Sequence, residues 1–518
     1  MKKYIETIMR DFKKLNNTRH KIYDFLTTPK VVKFSFYAST IILISCLIIG
    51  YLVAQSDLPG PDIDKSGFNI LDDYISNLGH RNYTPITNFL DDGAMFTAIF
   101  LVPLALYMEK IIRKDEGVEK STLKTILGVL GLLTLLIGMI GLWGIGFFNA
   151  EIGVALEALI NLDFHKIFSL IVFLGLGSSG LLFGILIISY STRFPKILGL
   201  YMIIVPFTLA TLFILMPWII WLEWLLLLSL FSYLIPCGAI IVKQINTDIL
   251  KKKREDRGKD KLETRIKEQL KQIKKNFISP RIVRICLILF FVIFIPSLIT
   301  GYLFANIFDP YRDGFNIIDN YISDLGSLDF TCIPKFLDDA AMISAVLLVP
   351  VMFYMRKMLL AETPTIVSRR ASKPIKLLLT NIGLLFGLAS MVGFFGIGFF
   401  SEDTSRELNQ FDIKILGLPT HMFFSLLVFA GLIGMGMVIG SYLIMFPYSV
   451  ISHFGVNTRP KIFVLLGFEM TIWPTMHGIG FIANWPPSQP YHEWFMLFTI
   501  LVWSVPLFGL LLKKAKDQ

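Results

Sequence analysis

Long apolar runs separated by short polar segments dominate the chain, and their lengths set the expected fold. A helix needs about 20 apolar residues to cross roughly 30 Å of hydrocarbon. Runs of that size predict six spans near residues 34–55, 92–112, 123–148, 164–190, 196–217 and 223–243. Six more are predicted near 283–306, 339–359, 376–400, 418–446, 460–481 and 493–513. The least obvious division lies inside the run from Ile197 to Val242. At about 1.5 Å per residue one helix of that length would extend roughly 70 Å, more than twice the hydrocarbon core, so the chain must turn back. Pro217 followed by Glu223 marks the place. Between the two sets the pattern changes: Leu262, Ile266, Leu270, Ile273 and Phe277 recur at helical spacing among many Lys and Glu, which predicts a basic amphipathic helix.

The second six spans repeat the first. The segment from Gly67-Phe68-Asn69-Ile70 to Tyr107-Met108 recurs from Gly314-Phe315-Asn316-Ile317 to Tyr354-Met355. Both share Gly-Phe-Asn-Ile-x-Asp-x-Tyr-Ile-Ser-x-Leu-Gly, then Phe-Leu-Asp-Asp-x-Ala-Met. Gly141-x-x-Gly144-Ile-Gly146 returns as Gly393-x-x-Gly396-Ile-Gly398, His165-x-x-Phe168-Ser169 as His421-x-x-Phe424-Ser425, and Glu223-Trp224 as Glu493-Trp494. The expected class is an all-α polytopic membrane protein of about 12 transmembrane helices, built as two parallel six-helix bundles. Its segments are an N-terminal arm over 1–33, membrane units over 34–243 and 283–513, a basic linker over 244–282 and a tail over 514–518. An even number of crossings per unit gives both copies one orientation, related by a pseudo-two-fold axis along the membrane normal.

Charge adds orientation. The balance is +10, yet Lys and Arg collect in the N-terminal arm and between the apolar runs, so their placement reads as topological and no nucleic-acid partner is expected. The linker from Lys243 to Arg284 carries fifteen basic and six acidic residues, whereas the segments Ser56–Asp92 and Asn306–Asp339 each hold seven Asp against two basic residues. The positive-inside rule places the linker and both termini in the cytoplasm and the two acidic segments outside. The linker helix has two readings: a connector packed on the inner ends of the bundle, or a segment adhering to anionic inner-leaflet lipid. Four cysteines without a paired spacing give neither a disulfide framework nor a metal motif.

With this topology, spans two, four and six of each unit all begin on the outer face. Asp91, Asp92, Asp163, His165 and Glu223 then lie at one rim of the first bundle, and Asp338, Asp339, His421 and Glu493 at the matching rim of the second. The outer loops bring Asn69, Asp72, Tyr74 and Ser76, with Asn316, Asp319, Tyr321 and Ser323, into the same layer. An acid at a helix N-terminus stabilises by roughly 0.3–1 kcal/mol with no further role. The competing reading is a lipid-headgroup or cation pocket. His165 and His421, near helix N-termini, are expected as neutral rings bonded to a carboxylate or the backbone. Catalytic zinc usually takes three protein ligands with His prominent, and each unit offers one such His, so neither a zinc site nor a cofactor is expected. An all-oxygen Ca²⁺ or Mg²⁺ site from Asp72, Asp91 and Asp92 is the remaining metal reading.

Glu469 and His477 have no counterpart in the first copy. Ionisable groups inside a span are costly and default to functional candidates. The alternative is a protonated Glu469 supporting the kink at Pro474. The repeated glycines lie on helices, which excludes a phosphate loop and makes them close-packing sites.

With these residues in hand, each six-helix unit resembles the damage-regulated autophagy modulator (DRAM) family and its FRAG and SFK relatives, and prokaryotic membrane families of unknown function. The likeness rests on Tyr321-Ile322-Ser323-Asp324-Leu325-Gly326, the Gly-rich third span, His421 with Phe424 and Gly431, and Glu493-Trp494. The first copy carries Tyr74-Ile75-Ser76-Asn77-Leu78-Gly79, His165, Phe168, Gly175 and Glu223-Trp224. The family loop commonly reads Tyr-Ile-Ser-Asp-Thr-Gly; here Leu replaces Thr in both copies, and Asn77 replaces Asp in the first. The resemblance implies lipid handling, as in glycolipid-anchor remodelling, phospholipid asymmetry or autophagy-linked endomembranes, and carries no agreed catalytic mechanism. The expected function is a multi-pass protein, not an enzyme, that contacts membrane lipids through its outer rim, in the cell membrane of a prokaryote or an endomembrane of a eukaryote. The alternatives are a secondary transporter using Glu469 and His477, and a lipid-modifying enzyme using the rim acids and histidines.

Overall fold

A computed structural model describes residues 20–55, 68–80, 83–84, 86–114, 122–216, 218–255, 277–307, 314–360, 372–410, 412–454 and 459–517. Among these, 12 helices are long and apolar enough to cross a membrane. The chain divides into two compact units after Gly258. The first holds α1 (Pro29–Gln55), α2 (Asn88–Lys114), α3 (Thr122–Phe147), a short α4 (Ala150–Ile160), α5 (Phe164–Ser189), α6 (Lys196–Leu215) and α7 (Trp221–Glu255). The second holds α8 (Pro280–Ile307), α9 (Lys335–Leu360), α10 (Ser372–Phe399), a short α11 (Glu402–Gln410), α12 (Thr420–Met445), a short α13 (Pro447–Phe454), α14 (Pro460–Ile482) and α15 (Gln489–Asp517). An antiparallel hairpin of β1 (Lys414–Ile415) and β2 (Leu418–Pro419) precedes α12.

The apolar run over 197–242 does turn back, between α6 and α7. The sequence ends the sixth span at residue 243, but α7 continues to Glu255. Its apolar stretch stops at Val242, and the Lys, Arg and Glu that follow are good helix formers that carry the backbone onward. The amphipathic stretch from Leu262 to Ile273 lies outside the described residues. The short α4 was not anticipated. Asn149 Oδ1 accepts the Ile152 N–H at 3.0 Å to start it, and Asn161 ends it in the left-handed conformation at φ 57°. Asp163 Oδ1 then accepts the Lys166 N–H at 3.0 Å and starts α5.

Within each unit, consecutive long helices pack side by side, and the first also meets the last: α1 with α7, and α8 with α15. In lipid the apolar surroundings give no net drive to bury apolar side chains, so close van der Waals packing holds such bundles together. The α3–α5 contact shows the device. A Cβ on Gly175 would stand 2.4 Å from the Gly138 amide nitrogen, and one on Gly138 would stand 2.7 Å from that of Leu176. Only hydrogen at both positions allows the two backbones to touch. Between α7 and α5, Tyr233 donates its hydroxyl to the Leu176 carbonyl at 2.8 Å, satisfying a fully buried phenol.

Candidate functional site

The acid-bearing end of the first unit is assembled around Asp91, in the first turn of α2 and 5% exposed. Two glycines let neighbouring elements close on it. A Cβ on Gly79, at the end of the short 3₁₀ turn Ile75–Gly79, would stand 2.4 Å from Asp91 Oδ1. A Cβ on Gly146 of α3 would stand 2.2 Å from the Asp91 carbonyl oxygen. Asn149 donates its side-chain amide to Asp91 Oδ2 at 2.9 Å while its own oxygen caps α4. One residue type at one position thus joins the acid to the start of the short helix. Trp224 Nε1 donates to the Asp73 carbonyl at 2.9 Å, which pins the loop before α2 onto α7.

His165 opens α5. A carbonyl oxygen only accepts, so in the 2.9 Å contact with the Phe148 carbonyl His165 Nδ1 is the protonated, donating nitrogen, and the Ile145 carbonyl also faces the ring. Phe148 stacks on Phe168 one turn below His165, with centroids 5.3 Å apart and ring planes within 4°. These contacts bring Asp91, His165 and Glu223 to one cavity of about 60 Å³, with Ser76, Ser169 and Cys46 as its other polar lining. Its walls are apolar side chains of α1, α2, α3, α5 and α7, among them Leu43, Leu142, Phe173 and Phe231. Asp92 is buried beside this cavity at 4% exposure and is not part of its lining.

The second unit repeats the frame with different closures. Cβ atoms on Gly326 and Gly398 would meet Asp338 Oδ1 at 2.5 Å and the Asp338 carbonyl oxygen at 2.2 Å. His421 Nδ1 donates to the Phe400 carbonyl at 2.8 Å, Phe400 stacks on Phe424 at 5.4 Å, and Trp494 Nε1 donates to the Asn320 carbonyl at 2.9 Å. Here the acids are engaged locally. Glu493 Oε2 accepts the Ile322 N–H at 2.9 Å. Asp403 takes the Ser327 hydroxyl at 2.7 Å and the Leu328 N–H at 2.9 Å. Glu402 lies 3.8 Å from His421 Nε2 and 3.6 Å from Arg406, which also pairs with Asp329. Asp324, 8% exposed, accepts the Tyr321 N–H at 2.8 Å, and burial pushes its carboxyl up to about 6. Asp339 is buried next to Asp338.

Two acids expected at this rim are engaged within their own loops. Asp72 and Asp319 are exposed, each bonded to the side-chain amide of a loop asparagine, Asn69 at 2.5 Å and Asn316 at 2.9 Å. The asparagine oxygens accept backbone N–H groups at Leu71 and Ile318, so these acids belong to tight local turns and Asp72 does not join Asp91 and Asp92. Among the described residues, no three His, Cys, Asp or Glu converge to hold a metal ion. Glu469 and His477 also separate: eight residues of helix put them roughly 12 Å apart along α14. His477 lies near the end of that helix, its Nδ1 3.3 Å from Nδ1 of His492 on α15. His492, whose Nε2 donates to the Trp485 carbonyl at 3.0 Å, was missed in the sequence; its place immediately before the repeated Glu493-Trp494 was the available signal. Glu469 Oε2 is buried with no hydrogen-bond partner among the described residues.

Chemically, the first unit's site is a small cavity with apolar walls, two carboxyl groups and an imidazole held by a backbone carbonyl. Such a site can accept hydrogen bonds and compensate positive charge. Comparison with known proteins adds no likeness: no family model, no curated protein and no solved structure matches the chain.

Proposed function

We infer that this multi-pass membrane protein associates with lipid through the polar end of its first unit, holding a headgroup in the cavity lined by Asp91, His165 and Glu223. The observation that carries the reading is that convergence, from three different helices, within apolar walls. Ionisable groups at the ends of spans sit where headgroups lie, and they are costly unless a ligand or partner offsets them. The resemblance to the DRAM, FRAG and SFK families points to lipid handling in the same sense, with the acidic end facing the exterior or an organelle lumen.

The test is native mass spectrometry of the full-length protein released from detergent, followed by identification of the lipid it retains. The wild-type chain should keep a bound lipid that Asp91→Asn with Glu223→Gln loses. Equal retention by the double variant would refute the reading. A secondary transporter is favoured by a separate observation, the unpaired buried oxygen of Glu469. In that case Glu469→Gln abolishes pH-dependent flux in proteoliposomes.

A further inference from the structure

Away from the acidic ends, the two copies differ in the middle of their last two spans. Leu198-Gly199-x-x-Met202-x-Ile204-x-Pro206 of α6 recurs as Leu466-Gly467-x-x-Met470-x-Ile472-x-Pro474 of α14, which sets Glu469 where the first copy has Tyr201. Counting from the repeated Trp224 and Trp494 sets Val502 against Ser232 and Trp503 against Tyr233, and counting from Gly180 and Gly436 sets Met435 against Ser179. The packing follows this alignment. A Cβ on Gly180 would meet the Met202 carbonyl at 3.2 Å and the Tyr233 ring at 3.3 Å, and one on Gly436 the Met470 carbonyl at 2.8 Å and the Trp503 ring at 3.7 Å.

In the first unit serine hydroxyls satisfy both tyrosines. Tyr201 bonds to Ser232, and Tyr233, besides donating to the Leu176 carbonyl, lies 3.1 Å from the Ser179 hydroxyl. In the second unit both serines have become apolar residues, while the groups they would face remain polar. The frame that lets Tyr201 reach Ser232 brings Glu469 to the turn of α15 that holds Val502 and Trp503. Trp503 Nε1, on a side chain 1% exposed, and Glu469 Oε2 are buried with no hydrogen-bond partner among the described residues. Neighbouring hydroxyls donate within their own helices, Thr471 to the Gly467 carbonyl at 2.8 Å and Ser504 to that of Leu501 at 3.3 Å.

We propose that the second unit binds one hydroxyl group between Glu469 and Trp503, in the place that Ser232 and Ser179 fill in the first. The carboxyl oxygen needs a donor and the indole N–H an acceptor, and a hydroxyl is both. An ester carbonyl gives nothing to Glu469 and an ammonium gives nothing to Trp503, so neither satisfies the pair. Glu469 is residue 10 of the 23 in α14 and Trp503 residue 15 of the 29 in α15, so both lie near mid-span, where bulk water does not supply the missing partners. Glu469 is half-buried and flanked along α14 by exposed Leu465, Phe468 and Ile472, which opens the site to the apolar face of that helix. The hydroxyl arrives on a lipid alcohol such as a diacylglycerol, or as a single water molecule. The site is separate from the headgroup cavity of the first unit and independent of that reading.

The full-length chain in phosphatidylcholine nanodiscs is titrated with dioleoylglycerol or with its acetate ester, which has the same chains and no hydroxyl, and bound lipid is counted by native mass spectrometry. One dioleoylglycerol per chain is expected, in preference to the ester. Trp503→Phe, which keeps a ring and removes the N–H, should weaken it about tenfold, and Glu469→Met should do the same. Met435→Ser with Val502→Ser, which returns the hydroxyls of the first unit, should displace it; retained binding there overturns the proposal even where the Trp503 variant fails to fold. Dioleoylglycerol binding that survives both Trp503→Phe and Glu469→Met overturns it as well. Where the two lipids bind alike, a crystal structure of the wild-type chain decides. A water within hydrogen-bond distance of both Glu469 Oε2 and Trp503 Nε1 supports the site with water as the source of the hydroxyl, and a structure without one overturns it.

Discussion

Replacing Gly146 by alanine should destabilise the first unit by about 3 kcal/mol, near the upper end of what one added carbon costs in a packed interior. The new Cβ would stand 2.2 Å from the Asp91 carbonyl oxygen and 2.6 Å from Met95 Cγ. The methionine can move. The carbonyl belongs to the α2 backbone and cannot, so α3 must withdraw and carry the wall of the cavity with it. Gly177→Ala is the matched control, because its Cβ meets nothing within 4 Å and alanine is the better helix former. Thermal unfolding in detergent, followed by tryptophan fluorescence, should show Gly146→Ala melting well below wild type and Gly177→Ala at or above it. Coincident melting of the two variants would contradict the packing account. Gly398→Ala should repeat the effect in the second unit, where the Asp338 carbonyl lies at the same distance.

Asp324→Asn should stabilise the second unit at pH 7.5, because burial has pushed the Asp324 carboxyl up to about 6 from an ordinary 3.8. The sign follows from proton counting. Between about pH 4 and pH 6 the folded chain holds a proton that the unfolded chain has released, so stability falls as pH rises through that window and the loss is complete above it. At about 1.4 kcal/mol per pH unit the penalty reaches up to about 3 kcal/mol. Asparagine removes the charge and keeps an oxygen for the Tyr321 N–H, and the first copy already carries Asn77 at this position. The variant should therefore unfold at a higher temperature than wild type at pH 7.5 and close to it at pH 4. An unchanged slope between pH 4 and pH 6 would show that another group titrates there.

Much of this architecture was legible because membrane spans are written as length and hydropathy, and because duplication prints every structural requirement twice. The glycines at 146 and 398 were readable as close-packing sites for that reason. That they specifically receive the carbonyls of Asp91 and Asp338 depends on helix register, which spacing along one chain does not contain. The gathering of Asp91, His165 and Glu223 followed from counting crossings. Asp72 was drawn into the same layer by that argument because counting places residues by depth and not by side-chain direction, and Asn69 turns it outward. The short α4 and α11, 11 and 9 residues long, fall below the length that marks a span. With them went Glu402, Asp403 and Arg406, the groups that make the two copies unlike. The His477–His492 contact joins two helices across a tight connection, and no periodicity within either helix announces it.

The most direct test is the sidedness of the first unit's loops. Single cysteines at Asn69, Leu162 and Trp218, in a chain lacking its four native cysteines, report which face each loop occupies through an impermeant maleimide. These positions precede α2, α5 and α7, and all three should label from one side of the membrane, with Ser191, between α5 and α6, labelled only from the other. Labelling of Asn69 and Leu162 from opposite faces would separate Asp91 from His165 and leave no shared cavity for any ligand.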